Sequence, residues 1–448
     1  MYEKFSHSML SPSKLVQELP GLINAHAHGT YGPQYRGVKA SAPFDLSGVN
    51  LMARETHEPR PEEFFACALV TGYENLRFGT TALLDHYYGP LTHTHVHAVA
   101  EAYERVGIRA WVLVELTDLP WLLYPSESYP RFPGSVPAET LPDDLRALVE
   151  TQPTASLDDV ETVADIIGVW SGHRVRIGLA LGNPLWCSDE LIRRVATAAQ
   201  ELGVLLTTHV EESALQREVS LAEWGLSGVE RLWHAGALSR QMILSHAVHI
   251  SADDMRLLAE SGATISHNPL SNLKLQTGMA PVGDWVRAGV NVCLGCDGQS
   301  SGDSQNLFSV MKTAAALADL NGLRSAVPSP EEAVLEMATA NAAHLWPADN
   351  LAGDVVEFTE SLGPYAHAWD EPAAYIREVV VEGAPRLAAA RELVEETRAN
   401  ELVLGLREAA VATAQVERAE RLTSELRQIL DGRSNGATRA GPGSVIGM

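Results

Sequence analysis

Two kinds of segment alternate along this chain. Short runs dense in Val, Ile, Leu and Ala recur at 19–28, 80–86, 108–116, 175–183, 204–210, 242–248, 263–268 and 290–297, and stretches of helical periodicity separate them. Eight strands alternating with helices predict an α/β fold, a parallel (β/α)8 TIM barrel, whose chemistry gathers at the C-terminal strand ends. Polar and ionisable residues stand at or near those ends here, among them His28, His86, Asn183, His209, His246, Asn268 and Asp297. A buried strand does not need such residues for stability, so their recurrence marks a site.

The connection 117–172 is long for a compact domain, and its Pro- and aromatic-rich start reads either as a lid or as an excursion packed on Trp121, Tyr124 and Phe132. From about 350 the pattern changes to two strand-like pieces, GDVVEF and IREVVVEG, and then to helix rich in Glu, Ala and Arg. The expected organisation is an N-terminal segment 1–18, a barrel 19–350, short strands and helices 351–431, and a Gly-rich disordered tail 432–448.

Charge narrows the partners. The chain has 33 Lys and Arg against 57 Asp and Glu, a formal net charge of −24, which disfavours nucleic acid and anionic membrane surfaces. The N-terminal stretch lacks the apolar core of a signal peptide, and no run reaches the roughly 18 apolar residues of a membrane helix, so a cytoplasmic protein is expected. Cys67, Cys187, Cys293 and Cys296 are too scattered for a disulfide framework. Cys293 and Cys296 form a CxxC, but on a strand residues three apart face opposite sides.

His26 and His28 lie two apart on the first strand and share a face, so both imidazoles can enter the barrel mouth. His209, His246 and Asp297 end later strands. Three neutral imidazoles and a carboxylate make a plausible first shell for Zn²⁺ or else Fe²⁺, with a position left for water. A second run, His93, His95 and His97, satisfies the same pattern but opens a helix, where residues two apart diverge. Glu212, three residues beyond His209, can carry protons in the same pocket, whereas its neighbour Glu211 is expected to be solvated. No Lys occurs between 40 and 273 to bridge two metals, so one divalent ion per chain is expected.

The motifs PGLINAHAH, YRG, GTTALLDHYY, CSDELIR, HVEES, LSHAVHIS, SHNPLSNLKLQTGMAPV and LGCDG resemble the amidohydrolase superfamily over 19 to about 350, and most closely its cytosine, guanine and S-adenosylhomocysteine deaminases and triazine chlorohydrolases. The resemblance implies His26, His28, His209 and Asp297 as metal ligands, Glu212 as proton shuttle, His246 as the group orienting the water, and His267 and Asn268 as supporting residues. With Glu212, His246 and Asp297 catalytic, it implies a hydrolytic deaminase that releases ammonia from a small nitrogen heterocycle. The same machinery suits another leaving group, a C–Cl bond or a cyclic amide. A non-catalytic binding protein is the competing class, and the intact site residues argue against it.

The chain also departs from the pattern. Only 25 residues precede His26, so the β-sandwich of relatives is expected to be reduced, missing or replaced by the C-terminal helices. GNPLWCS stands at 182–188 where relatives often read HAPYTCS, Cys296 replaces the usual Thr, and His86 stands where Met is common. His86 and Trp186 are therefore the expected substrate-binding residues, beneath a possible lid at 117–139. A homodimer or higher homo-oligomer is expected.

Overall fold

The computed structural model describes residues 16–30, 32–38, 44–54, 59–119, 141–150, 154–346, 351, 353–362 and 375–437. Its centre is an eight-stranded parallel sheet in sequence order, from β2 (Leu22–Ala27), β3 (Thr80–Tyr87), β4 (Arg109–Leu116) and β5 (Val175–Leu181) to β6 (Leu206–Val210), β7 (Met242–His246), β8 (Thr264–His267) and β9 (Asn291–Leu294). The ends meet: the Asp297 amide donates to the His26 carbonyl at 2.9 Å, and a parallel bridge joins Ala27 to Asp297. β2, β3, β7 and β8 are buried along their whole length, which explains their near-continuous apolar runs. Every strand expected from the sequence is present.

Local signals set the helices between strands. Ser188, Ser213 and Ser251 accept backbone N–H groups at the starts of helices Asp189–Leu202, Ala214–Trp224 and Ala252–Ser261. The first and last of these stop at Gly203 and Gly262, both at positive φ, a conformation that costs glycine nothing.

Two boundaries differ from the sequence reading. The expected first strand divides at Gly21: β1 (Val16–Pro20) pairs instead with β10 (Val355–Leu362), followed by β11 (Ile376–Val381) and β12 (Ala384–Pro385), in a separate antiparallel sheet. The chain turns at Pro20 and Gly21 because a Cβ at Gly21 would lie 2.1 Å from the Thr81 hydroxyl. So 16–20 belongs with the C-terminal strands, and a reduced four-stranded sheet stands where a sandwich was expected. Its junction with the barrel joins apolar contacts of Val356, Phe358, Val379 and Val381 with a buried set of ion pairs. Arg109, the first residue of β4, pairs with Asp354 at 2.9 Å and Glu382 at 2.9 Å, on the side of the barrel opposite the mouth.

The second difference is at the C-terminus. The last helix, Thr413–Ala437, continues past 431, because interior glycines such as Gly432 cost a helix only about 1 kcal/mol and do not stop it. The rest of the expected tail lies outside the described residues, as do Trp121, Tyr124, Phe132 and most of the expected lid. Within 117–172 the described residues form two helices, Asp143–Glu150 and Asp159–Val169.

Beside the main core lies a second one. Leu46 and Val49 of helix Phe44–Met52, Leu145 and Leu148 of helix Asp143–Glu150, and Leu422 and Leu426 of the last helix pack together. Polar contacts support the junction: Asn50 donates to Thr423 at 3.3 Å, and Arg421 pairs with Asp144. Helix Phe44–Met52 is tied to the mouth, because the Asp45 carboxylate accepts from the Ser213 hydroxyl at 2.7 Å, one residue beyond Glu212. Among the described residues no helix is long and apolar enough to cross a membrane.

Candidate metal centre

The strand ends bring the predicted histidines together. The His26 ring centroid lies 4.8 Å from that of His28, 5.0 Å from His209 and 5.6 Å from His246. The backbone aims these groups at some cost. Glu211, His246 and Asp297 have φ of 41°, 72° and 62°, left-handed conformations that cost non-glycine residues about 1–3 kcal/mol each and cluster at functional sites.

Hydrogen bonds fix the tautomers. His28 Nδ1 lies 3.0 Å from the His86 carbonyl and His209 Nδ1 lies 2.7 Å from the Gly182 carbonyl. A carbonyl only accepts, so both Nδ1 atoms carry hydrogen and both Nε2 atoms carry lone pairs. Those two Nε2 atoms face each other at 3.2 Å. Opposed lone pairs repel unless a cation lies between them. His26 Nε2 is buried with no hydrogen-bond partner among the described residues, and it and His28 Nε2 are each 3.5 Å from Asp297 Oδ1. This donor set fits a divalent ion.

Electrostatics prepare the ligands. Burial lowers the His26 pKa to about 4 and holds that of His209 well below the usual value, so both imidazoles are neutral at pH 7. Burial works against ionisation of Asp297, but the contact with His26 and the surrounding imidazoles outweigh it and hold its pKa well below the usual carboxylate range. Asp297 Oδ1 also accepts the Gly298 amide at 2.7 Å.

Glu212 and His246 complete the group. Glu212 is buried, and its Oε1 has no hydrogen-bond partner among the described residues and lies 3.5 Å from His246 Nδ1. Burial first, then the Asp297 and Asp45 carboxylates, push its pKa well up, so it holds a proton. His246 Nδ1 donates to Asn272 Oδ1 at 2.9 Å, which leaves Nε2 as an acceptor 3.8 Å from Asp297 Oδ2. His267 is buried edge-on to Trp285, and Asn268 accepts from the Ser266 hydroxyl at 3.0 Å.

His86 and Trp186 part company. The His86 ring lies inside the imidazole cluster, 4.4 Å from that of His209 and 5.3 Å from that of His28. Trp186 packs against the small cluster of Leu185 and Val219, which Leu215 and Trp224 of helix Ala214–Trp224 also join. Glu211 is a correction: it is buried, paired with Arg217, and accepts the Gly228 amide at 2.9 Å. Strand β6 ends one residue earlier and the chain turns at Glu211, which carries its side chain inward toward Arg217.

The second histidine run does not converge on the mouth. His93 pairs with Asp165, His95 lies 3.2 Å from the Pro59 carbonyl, and His97 lies 3.1 Å from the Ile166 carbonyl. All four cysteines are free and buried.

Three residues near the site were not singled out from sequence. Glu115 bonds His86, and its signal was an ionisable residue near the end of an otherwise apolar strand. Asn272 sat in plain view in SHNPLSN. Asp45 gave no signal, because its place depends on a contact with Ser213, 168 residues away.

Comparison with known proteins agrees with this geometry. The amidohydrolase family matches residues 19–355. The 5'-deoxyadenosine deaminase of Methanopyrus kandleri is 30% identical over 338 residues, covering 74% of this chain and 69% of that protein. The 5-methylthioadenosine/S-adenosylhomocysteine deaminase of Desulforudis audaxviator is 30% identical over 336 residues, covering 73% and 67%. Among solved structures, an adenosine deaminase from Xanthomonas campestris with bound zinc shares the fold, with a TM-score of 0.67, 21% identity, and coverage of 86% of this chain and 85% of that one.

Proposed function

The chain belongs to the amidohydrolase family, and from that membership we propose a metal-dependent hydrolytic deaminase that releases ammonia from an amino-substituted nitrogen heterocycle, a 6-aminopurine nucleoside. It is a hydrolase acting on C–N bonds other than peptide bonds. The observation that carries the reading is the arrangement of Glu212, His246 and Asp297 beside the imidazoles of His26, His28 and His209. His26, His28, His209 and Asp297 would hold the metal, with zinc the proposed ion on this donor set. When bound, the metal supplies Lewis acidity, which lets a water lose its proton near neutral pH.

The chain's own groups then divide the proton work. Asp297 is ionised, and its Oδ2 accepts the proton from the attacking water. His246, fixed by Asn272, orients that water through the lone pair on Nε2. Glu212 donates its proton to the ring nitrogen beside the amino-bearing carbon, so that addition of water does not build charge on the ring. Asp297 then passes its proton to the amino group, so that the C–N bond breaks and ammonia leaves, and Glu212 takes back a proton from the added hydroxyl as the carbonyl forms. Trp186 supports the mouth through its packing on helix Ala214–Trp224. A cytoplasmic homo-oligomer completes the proposal, and the four buried free thiols support that compartment.

The test is ammonia release from a panel of adenosine-type nucleosides, free aminopurines, aminopyrimidines, pterins and aminotriazines. Turnover is expected on a nucleoside, and exclusive turnover on a free base would overturn the substrate class. Glu212→Gln should retain metal and fold while losing activity by roughly 10²- to 10⁴-fold. Normal turnover by that variant would remove Glu212 from the mechanism.

A further inference from the structure

His86 has one nitrogen committed and one unused. Its Nε2 lies 2.8 Å from Glu115 Oε2, and Glu115 Oε1 accepts from the Thr117 hydroxyl at 3.2 Å. Burial raises the Glu115 pKa to about 7, and in its ionised form the carboxylate accepts, so that Nε2 bears the hydrogen and Nδ1 a lone pair. Nδ1 is buried and has no hydrogen-bond partner among the described residues. A desolvated lone pair of that kind is unfavourable when nothing meets it. An unmet buried nitrogen at the edge of a ligand cluster calls for an explanation.

The surroundings indicate what that is. His26, His86 and His209 each bring a ligand atom, all within 4.8 Å of one another, and so do His26, His28 and Asp297. The two trios share His26, and His28 meets His209 at 3.2 Å. Five side chains therefore form two overlapping groups joined at His26. A hydrogen bond from the far ring nitrogen to a carboxylate is the usual support of a metal-binding histidine, fixing its tautomer and raising its basicity. β3 and β4 build this support through their register, which sets His86 beside Leu113 and brings Glu115, two residues on, to the same end of the barrel.

We propose that His86 is a further metal ligand through Nδ1, held in place by Glu115 as a positioning residue. This rests on the metal centre described above and replaces the substrate contact expected for His86 from sequence. The centre then has four imidazoles and one carboxylate.

Metal affinity in the absence of substrate tests it. Chelator-stripped protein is titrated with Zn²⁺ against a chromophoric competitor, and the Co²⁺-substituted protein is read by its visible spectrum. His86→Met should weaken Zn²⁺ binding about 10- to 100-fold and change the Co²⁺ band positions and intensities. Glu115→Gln, which keeps size and fold, should weaken binding in the same direction and decides the matter if His86→Met does not fold. Wild-type Zn²⁺ affinity and an unchanged Co²⁺ spectrum in both variants would overturn the assignment, and a raised KM in that case would return His86 to the substrate. His209→Ala is the control for the centre itself. If it binds Zn²⁺ as the wild type does, the whole centre falls, whereas loss of binding in His209→Ala alone rejects only His86.

Discussion

Four imidazoles in the mouth each have one nitrogen fixed by a neighbour, and that neighbour decides what the other nitrogen can do. Carbonyls set His28 and His209, Asn272 sets His246, and Glu115 sets His86. His267 lacks such a partner on either nitrogen among the described residues, and burial lowers its pKa to about 3. The unfolded chain takes up this proton below about pH 6.5, while the folded chain does not until about pH 3. His267 therefore costs stability progressively as the pH falls through that window. His267→Phe should lose less stability than the wild type between pH 6.5 and 4, measured by urea unfolding; parallel losses would show that the ring is not held neutral. Trp186 makes a second test. Its ring packs on the cluster of Leu185 and Val219, so Trp186→Ala should destabilise by about 2 kcal/mol with kcat/KM changed less than tenfold. A large kinetic loss without a lower Tm would make the indole a substrate wall instead.

At the scale of elements, the second core is the feature with the clearest mechanical consequence. Helices Phe44–Met52, Asp143–Glu150 and Thr413–Ala437 share it, and none has another apolar partner of comparable extent in that cluster. Leu422 is fully buried there, so Leu422→Ala should cost about 2–5 kcal/mol locally. Hydrogen exchange should then quicken together in 44–52 and 413–428 while β2–β9 stay protected. Faster exchange in the last helix alone would mean that it is not coupled to the mouth.

For the whole molecule, the prediction is one ion and one linked unfolding transition. Elemental analysis should find one divalent metal per chain, and two tightly bound ions would contradict a single centre in which the two ligand groups share His26. Removing the ion with a chelator should lower the Tm, because the folded chain alone assembles the site and binding energy adds to folding energy. An unchanged Tm would mean that the ion contributes nothing to holding the strand ends together. The formal charge of −24 adds self-repulsion that salt screens, but the site's electrostatics are local and buried.

The sequence by itself determined the barrel, its eight strands and the convergence of His26, His28, His209, His246 and Asp297. A strand has a two-residue period and a parallel barrel puts every strand's C-terminal end at one mouth, so position along the chain was enough. Tertiary structure alone decided the rest. The division at Gly21 follows from close approach to Thr81, and Glu211 is buried because the turn after β6 carries it to Arg217. Asp45 reaches the site, and the last helix reaches helix Phe44–Met52, through contacts across 168 and 373 residues. The free nitrogen of His86 depends on Glu115 in the neighbouring strand. Periodicity specifies which face a residue takes within its own element; which distant atom meets it there depends on how the elements pack.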